Sequence, residues 1–332
     1  MPQRNRMLPL WLHFAVDLLL IAFLTTSFYY AYYRLPRNLE SENIVINRRN
    51  DNHPTYNDYS SENHESELDK DSWVVKFADK FTDSLISTED SYTSPDISVK
   101  LTRNTIGSGK DTITYYLADI YIADIECLQT GFAKDTYGVG YTENVIDMHR
   151  SLSAILAING DYYGNGADGT VIRNGIVYRT KADSSDICVL YYDGTMRTYT
   201  ADKFDISKAA KDGAYQAWSF GPSLLDNNGG SLTEFPTSRR ILAKNPRTVI
   251  GYFEPGHYCF VLVDGRDTGY SSGMTMSELS SLMSELGCKV AYNLDGGQTS
   301  VMTFIDSVVN RPYEGGRKVS DCIIIKERKN KK

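Results

Sequence analysis

The apolar segment from Leu8 to Tyr33 constrains the fold of this 332-residue chain more than any other feature. Its stretch from Leu18 to Ala31 is uncharged, and about 20 predominantly apolar residues cross a bilayer as a helix. Four tyrosines close the segment, as is typical of a membrane interface. We therefore expect a cytoplasmic N-terminus over residues 1–7 and one transmembrane helix over residues 8–33. A cleaved signal peptide is the alternative, but no A-x-A-like site follows the segment.

The rest of the chain has the composition of a water-soluble protein. There are 42 acidic and 35 basic side chains, which give a net charge of −7, and the mean hydropathy is −0.36. A nucleic-acid partner is therefore not expected, because proteins that bind phosphate backbones carry a basic surface. The five cysteines form no C-x-x-C pair and no zinc-type spacing with histidine, so we interpret them as buried thiols.

Composition divides the chain after the apolar segment. Residues 34–95 are mostly polar and without periodicity, which predicts a flexible stalk. Within them, four apolar side chains at intervals of four residues predict a short amphipathic helix near residues 72–86. Residues 96–328 are expected to form one domain, and residues 329–332 a basic tail. The charges flanking the apolar segment leave its orientation open, since arginines lie on both sides.

Short β-type runs dominate residues 96–328. They are 97–101, 113–122, 155–158, 187–192, 248–253, 259–263, 290–294 and 322–325. A capping box from Thr275 to Glu278 and a stop at Gly287 predict one helix, and residues 143–152 a weaker one. The pair Asn174-Gly175 predicts a tight hairpin turn. The expected fold class is α+β, a single domain with a mixed sheet and a few packed helices.

Polar residues gather where the apolar strands end. The clusters are Asn159-Gly160-Asp161, Pro246-Arg247-Thr248, Asp264-Gly265-Arg266 and Asn293-Leu294-Asp295-Gly296-Gly297. Each cluster alone can be an ordinary turn, since Asp or Asn before Gly often caps its own backbone. Four of them in one domain, combining carboxylates and amides with arginines, indicate a ligand site. The sequence has no Walker loop and no H-E-x-x-H motif, so those reaction classes lose support.

In this order, with the capped helix between the last two, the four motifs resemble the phosphodiester glycosidase family. The resemblance covers about residues 97–325 and implies hydrolysis of the C1–O bond of a sugar-1-phosphodiester. Where the family has three glycines before Ser or Thr, this chain has Gly296-Gly297-Gln298-Thr299. Anchored bacterial members are linked to surface polysaccharide. The resemblance therefore implies a single-pass cell-membrane protein with its large domain outside the cell, acting on surface or extracellular polysaccharide.

The chemistry of this bond suggests roles for the residues of the motifs. The departing phosphate monoester is already an acidic leaving group, so one carboxylate and one arginine suffice. Asp295 is expected to be the nucleophile or general base, and Asp161 a second carboxylate that positions water or sugar hydroxyls. Arg247 is expected to bind the phosphate, with Arg266 as its support or replacement. The remaining substrate-binding candidates are Asn159, Asn293, Thr248, Asp264, Gly296, Gly297 and Thr299.

Three alternatives stay open at this stage. Either arginine can instead pair with Asp161 or Asp264 and brace the loops. The same cleft can bind an anionic wall polysaccharide without cleaving it, as a binding or scaffold module. Asp161, Asp264 and Asp295 can also be ligands of a divalent cation that assists cleavage of the P–O bond. The leading hypothesis needs no cofactor. Its partners are a carbohydrate phosphodiester and, through the anchor, the lipid bilayer.

Overall fold

The computed structural model describes residues 9–33, 35–48, 72–181 and 183–328. Its helices are α1 (Leu10–Tyr33), α2 (Trp73–Lys76), α3 (Val145–Leu152), α4 (Ile206–Lys211), α5 (Arg239–Leu242) and α6 (Met276–Glu285). Its strands are β1 (Arg37–Asn38), β2 (Ile44–Val45), β3 (Ile86–Ser87), β4 (Ser91–Thr93), β5 (Ile97–Ile106), β6 (Ile113–Ile122), β7 (Leu128–Phe132), β8 (Gly138–Val139), β9 (Leu156–Asn159), β10 (Gly169–Arg173), β11 (Ile176–Lys181), β12 (Ile187–Tyr191), β13 (Met196–Tyr199), β14 (Ala214–Trp218), β15 (Arg247–Glu254), β16 (His257–Val263), β17 (Val290–Asn293), β18 (Met302–Phe304), β19 (Ser307–Val308) and β20 (Asp321–Ile325).

The N-terminal helix α1 corresponds to the predicted apolar segment. Residues Leu10–Tyr32 are long and apolar enough to cross a membrane, and no part of this span is buried against the rest of the protein. Length and composition of this kind fit both a membrane anchor and a signal sequence. The expected cytoplasmic residues 1–7 lie outside the described residues.

The polar segment directly after α1 is not the flexible stalk that its composition predicted. We call residues 35–48 the strap. Its strand β1 pairs with β8, and its strand β2 pairs with Ile176 and Val177 at the edge of a sheet. Ile46 is only 6% exposed and belongs to an apolar cluster of that sheet. The composition did not indicate the strand pairing of the strap, because strand pairing uses backbone groups that a polar sequence also carries.

The predicted amphipathic helix near residues 72–86 is reduced to the single turn of α2. Phe77 ends that turn and is buried against the Tyr121 ring, whereas Leu85 is exposed. Strands β3 and β4 then extend the sheet of β5, and Tyr92 of β4 enters the main core. The domain therefore begins before residue 96. Residues 49–71 and the expected basic tail, 329–332, lie outside the described part of the chain.

Three sheets pack around a common core. The sheets have the orders β17-β15-β16-β6-β5-β4-β3, β13-β12-β14-β10-β11-β2 and β19-β18-β9-β20-β7. Ile120, Ile158 and Trp218 come from the three different sheets and meet in the largest apolar cluster. The α+β class is confirmed, although the strands that pair among the described residues are all antiparallel and divide into several sheets.

Helices cover the outer faces of these sheets. Helix α3 packs on the five-stranded sheet, α4 on the six-stranded sheet and α6 on the seven-stranded sheet. The predicted capping box at the start of α6 is present, with reciprocal hydrogen bonds between Thr275 and Glu278. The hairpin between β10 and β11 turns at Asn174 and Gly175, whose φ angles of 53° and 78° are those of the predicted turn.

Candidate active site

The ends of three strands meet at one edge of the domain. Strand β9 ends at Asn159 beside the start of the antiparallel strand β20, and β17 ends just before Asp295. The Asn159 side chain joins the motifs: its Nδ2 donates to the backbone oxygen of Asp295 at 2.7 Å. Its Oδ1 accepts from the Thr248 hydroxyl at 2.7 Å. Both Asn159 and Thr248 are fully buried, so they position the site from within.

The Asp295 carboxyl lies at a narrow opening of this edge. Its side chain is 14% exposed, and its Oδ1 accepts from the Gly296 N–H at 2.9 Å. Burial raises the pKa of Asp295 to about 6. Arg317 opposes this rise most, with smaller contributions from hydrogen bonds of Thr299 and Gly296. Asp295 is therefore a carboxyl that gains or loses its proton close to neutral pH.

A buried charge cluster stands next to Asp295. The Arg173 guanidinium lies 2.9 Å from Asp161 Oδ1 and 2.9 Å from Asp321 Oδ2, and all three side chains are inaccessible to solvent. Asp161 also accepts backbone N–H donations from Tyr163 and Ser219, both at 3.1 Å. Two carboxyl groups therefore share one buried guanidinium. Asp161 is therefore held from three directions.

Asp321 completes that cluster from the first position of β20. Burial raises the pKa of Asp321 against the opposing charge of Arg173, and the charges of Asp161 and Asp295 add to the rise. Its Oδ1 has no hydrogen-bond partner among the residues that the structure describes. A Cβ atom at Gly160 would collide with this oxygen, so glycine is required there to admit the carboxyl.

Arg317 is the cation that contacts Asp295. Its Nη2 lies 3.4 Å from Asp295 Oδ2, and its side chain is 47% exposed. The guanidinium also lies 5.7 Å from the centre of the Tyr162 ring, which is 40% exposed. Gly315 and Gly316, both at positive φ, precede it. Arg317 is therefore an accessible guanidinium at the opening of the site.

Arg247 is buried and donates to the protein backbone. Its Nε donates to the Met274 oxygen at 3.0 Å, and its Nη2 donates to the oxygens of Ile241 and Ala243, both at 2.6 Å. Burial lowers the pKa of Arg247 to about 10, and the nearby Arg266 adds to this effect. This arrangement favours a bracing role over the phosphate-binding role assigned first, although its partners are backbone oxygens and not the carboxylates of Asp161 or Asp264 that the sequence suggested.

Arg266 lies beside the turn that carries Asp295. Its side chain is exposed, its Nη2 donates to Asn245 Oδ1 at 2.7 Å, and its guanidinium lies 5.3 Å from the Tyr313 ring centre. Gly297 has a φ of +71°, and a Cβ atom there would lie 3.1 Å from the Arg266 Nη2. Arg266 therefore flanks the glycine turn.

Asp264 is engaged away from the carboxylate cluster. Its oxygens accept from Asn310 Nδ2 at 2.8 Å, from the Tyr270 hydroxyl at 2.8 Å and from the Arg311 N–H at 3.0 Å. These bonds connect the loops around residues 270 and 310, which gives Asp264 a bracing position. Over the described ranges, no group of three or more His, Cys, Asp or Glu side chains is arranged to hold a metal ion.

The remaining predicted residues shape the turns of the site. Asn293 Nδ2 donates to the Gly221 oxygen at 2.8 Å, which ties β17 to the loop that contains Ser219. The Thr299 hydroxyl donates to the Gly296 oxygen at 2.8 Å. A Cβ atom at Gly296 would approach the Pro246 oxygen to 2.8 Å, so the turn needs glycine to pack against that backbone.

A cleft of about 450 Å³ opens beside Asp161. Its lining combines aromatic rings, hydroxyls and carboxylates, among them Tyr162, Tyr163, Ser219, Phe220, Asp183 and Ser238. Two of these residues, Tyr163 and Ser219, donate their backbone N–H groups to Asp161. Tyr162 continues the lining to Arg317 and hence to Asp295. The cleft is therefore adjacent to the carboxyl cluster, although its described lining includes neither Asp161 nor Asp295.

The sequence motifs did not include Arg173, Asp321 and Arg317, and they did not indicate the role of Tyr162. Arg173 did leave a signal, because it follows Val171 and Ile172 in a strand buried over its whole length. A charged residue in such a run must be paired. Asp321 left the same signal at the start of β20. Arg317 left none, since an arginine after two glycines is typical of any surface loop.

Residues 153–326 match the family described as phosphodiester glycosidase. A curated relative, the SPbeta prophage-derived uncharacterized protein YomE of Bacillus subtilis (strain 168), is 28% identical over an alignment of 196 residues that covers 57% of this chain and 30% of that protein. The chain thus spans under a third of that relative's length.

Two solved structures are similar to this chain. The zebrafish N-acetylglucosamine-1-phosphodiester alpha-N-acetylglucosaminidase catalytic domain, auto-inhibited by its pro-peptide, has a TM-score of 0.56 at 17% identity, over 74% of this chain and 88% of that one. A hypothetical protein from Synechocystis has a TM-score of 0.48 at 12% identity, over 70% of this chain and 62% of that one. The match to the zebrafish domain shows that this chain and that domain share a fold.

Proposed function

Because the chain belongs to the phosphodiester glycosidase family, we propose that it hydrolyses the C1–O bond of a sugar-1-phosphodiester. In this reaction the sugar C1–O bond breaks and the phosphate leaves as a monoester with the electron pair of that bond. The oxygen of a water molecule then bonds to C1. The observation that carries the proposal is Asp295, a carboxyl with a pKa of about 6 at an opening beside Arg317.

Asp295 is proposed as the reacting carboxylate, either as the base for the attacking water or as the nucleophile at C1. A pKa of about 6 leaves it mostly ionised at neutral pH and still basic enough to accept a proton. Asp161 is proposed as the second carboxylate. Because its side chain is inaccessible to solvent and is held by Arg173 and two backbone N–H groups, it serves to fix Arg173 and the cleft wall at Tyr163 and Ser219 rather than to contact the substrate.

Arg317 is proposed as the phosphate-binding residue, with Arg266 at the other side of the glycine turn. A guanidinium matches two phosphate oxygens at once, and an exposed one can turn from Asp295 to a substrate. Arg247 is proposed to brace the site, since three of its hydrogen bonds go to backbone oxygens. This assignment replaces the one made from the motif alone.

The sugar is proposed to occupy the cleft beside Asp161. The hydroxyls of Ser219 and Ser238 and the Asp183 carboxylate offer donors and acceptors for sugar hydroxyls, and Tyr162 and Phe220 offer flat apolar surfaces. An acidic lining suits a neutral sugar and would repel the phosphate. The phosphate therefore points towards Arg317, outside the acidic part of the cleft.

Helix α1 is proposed as an uncleaved anchor, with the domain outside the cell and a carbohydrate phosphodiester of the cell surface as substrate. Support comes from its length, its apolar surface and the absence of a small-residue cleavage site. The protein should then stay with membranes after an alkaline wash. A mature N-terminus after Tyr33 would contradict the anchor.

The full chain, purified in detergent, should be incubated with a panel of sugar-1-phosphodiesters that differ in the sugar. We expect the wild-type protein to release a phosphate monoester from at least one of them. Asp295→Asn should lower kcat by about 100-fold or more, as loss of a positioned acid–base group does, while substrate binding persists. Asp306→Asn is the matched control, because Asp306 is an exposed carboxylate paired with Arg150.

Two outcomes would contradict the proposal. If Asp295→Asn keeps wild-type turnover, another group performs the chemistry. If the wild-type protein binds members of the panel and releases monoester from none, the site is that of a binding module for anionic polysaccharide.

A further inference from the structure

We propose that the strap holds the cleft at the membrane surface and that the aglycone of the substrate is therefore a membrane lipid. The proposal rests on the proposed function and on α1 as an anchor. It adds the class of substrate: a lipid phosphate esterified to C1 of a sugar. The structural basis is a short series of contacts that connects the end of α1 to Asp161.

The first step is the length of chain between the helix and the domain. Helix α1 ends at Tyr33 and β1 begins at Arg37, so only three residues lie between them. A chain of this length spans at most about 14 Å even when fully extended. The Leu35 N–H also donates to the Tyr30 oxygen of α1 at 3.2 Å. Domain and helix are therefore kept close together.

The second step is the attachment of β1 to the domain. Arg37 and Asn38 pair with β8, and the Tyr141 hydroxyl donates to Asn38 Oδ1 at 2.8 Å. A Cβ atom at Gly138 would collide with the Arg37 oxygen, and one at Gly140 would lie 3.0 Å from Pro36 Cα. The absence of side chains at these two glycines lets the strap lie directly on the β8 backbone.

The third step leads from β8 to the site. The Gly140 N–H donates to the Gly164 oxygen at 3.4 Å, and Gly164 belongs to the turn Tyr163–Asn165 that lines the cleft. Leu39 of the strap packs in the same apolar cluster as Tyr137 and Tyr163. The Tyr163 N–H in turn binds Asp161. The wall of the cleft is thus attached to the segment that leaves the bilayer.

This arrangement selects substrates by their distance from the membrane. A sugar linked through phosphate to a lipid has its phosphate at the bilayer surface and its sugar just beyond, which is the region that a closely held cleft samples. The tether also raises the effective concentration of the site for substrates in the same membrane. Phosphodiesters of a distant polymer gain no such advantage.

The test compares two substrates with the same sugar and phosphate, using the full chain reconstituted in vesicles. One substrate has a long polyisoprenyl chain and sits in the vesicle membrane, and the other has a short alkyl chain and stays in water. We expect kcat/KM for the lipid substrate to be at least about tenfold higher. A Gly/Ser insertion of about 20 residues between Leu35 and Pro36 adds roughly 25 Å of reach. It should remove most of this advantage without changing cleavage of the short substrate.

A second measurement does not depend on activity. All five native cysteines are buried, so a single cysteine introduced by Thr142→Cys, at an exposed position next to Tyr141, can be labelled selectively. Its fluorophore should be quenched by quenchers on the lipid headgroups. The inserted chain with the same label is the matched control and should lose this quenching.

The outcomes separate this inference from the proposed function. If neither substrate is cleaved while the label is quenched, the proposed function fails, and with it the substrate class named here. If both substrates are cleaved equally well, or the insertion leaves the preference for the lipid substrate unchanged, the inference fails and the proposed function stands. An unquenched label in the uninserted chain also overturns it.

Discussion

The proton of the Asp295 carboxyl links the stability of the fold to the proposed chemistry. Burial raises its pKa to about 6 from the usual value of 3.8, so the folded protein holds this proton more tightly than the unfolded chain. The stability that comes from this difference is complete below about pH 4 and is lost as the pH rises through about 6. At neutral pH the protein therefore tolerates an ionised carboxylate that burial disfavours.

Asp295→Asn should stabilise the protein at pH 8, because the amide has no charge to bury. The expected gain is about 2 kcal/mol in the free energy of unfolding, and it should vanish below about pH 4, where the wild-type carboxyl is protonated. Denaturant unfolding at the two pH values measures the difference. Asp306→Asn, at an exposed carboxylate, should change little at either pH. A loss of stability at pH 8 would show that Asp295 serves the fold rather than the reaction.

Arg317→Gln should shift the pH dependence of catalysis. Arg317 lowers the pKa of Asp295, so its removal raises that pKa further, and the acidic limb of kcat/KM should move to higher pH. Arg317→Lys should return the acidic limb of the pH profile towards its wild-type pH, because the positive charge is restored. It should leave phosphate binding weak, since an ammonium cannot make the two parallel hydrogen bonds of a guanidinium. Arg311→Gln is the control, because that exposed side chain pairs with Asp267 instead. If the acidic limb of kcat/KM stays at its wild-type pH in Arg317→Gln, Arg317 is not part of the site.

At the scale of elements, Arg247 joins the start of β15 to α5 and to Met274, two residues before α6. Arg247→Met should lower the free energy of unfolding by about 2–4 kcal/mol, because three backbone oxygens lose their buried donor. Inhibition by the phosphate monoester product should change less than about twofold if the role is bracing. A tenfold or greater loss of product binding would restore Arg247 as the phosphate ligand.

The strap offers a test with a matched pair of isoleucines. Ile46 is 6% exposed and Ile44 is 53% exposed, although both belong to the same short segment. Ile46→Ala should cost about 2 kcal/mol in the free energy of unfolding, since it removes buried methylene groups, whereas Ile44→Ala should cost almost nothing. Thermal or denaturant unfolding of both variants decides this. Equal, negligible effects would mean that the segment is the flexible stalk after all.

At the scale of the whole molecule, the sequence predicted what depends on neighbouring residues. The capping box at Thr275 and the turn at Asn174-Gly175 are specified by side chains only a few positions apart, and both were found. Three of the four polar motifs were expected at strand ends and lie there, whereas Pro246-Arg247-Thr248 begins β15. The strap and the Arg173–Asp321 pair were not predicted, since they depend on groups that lie far apart in the chain and meet only after the sheets assemble.

The role of Arg247 also depends on groups that are distant in the sequence. Its position at a strand edge among acidic and amide residues fitted a phosphate ligand. Only the folded chain brings the oxygens of Ile241 and Met274 to its guanidinium. Partners of this kind leave no pattern in a sequence, because every residue carries a backbone oxygen.

The bond that breaks is the most direct test of the whole assignment. The full chain should hydrolyse its sugar-1-phosphodiester in water labelled with heavy oxygen (¹⁸O), and mass spectrometry should then locate the label. If the C1–O bond breaks, water attacks the sugar carbon, and the released phosphate monoester contains no heavy oxygen. One heavy oxygen in any phosphate-containing product would mean attack at phosphorus, and would contradict a glycosidase mechanism at Asp295.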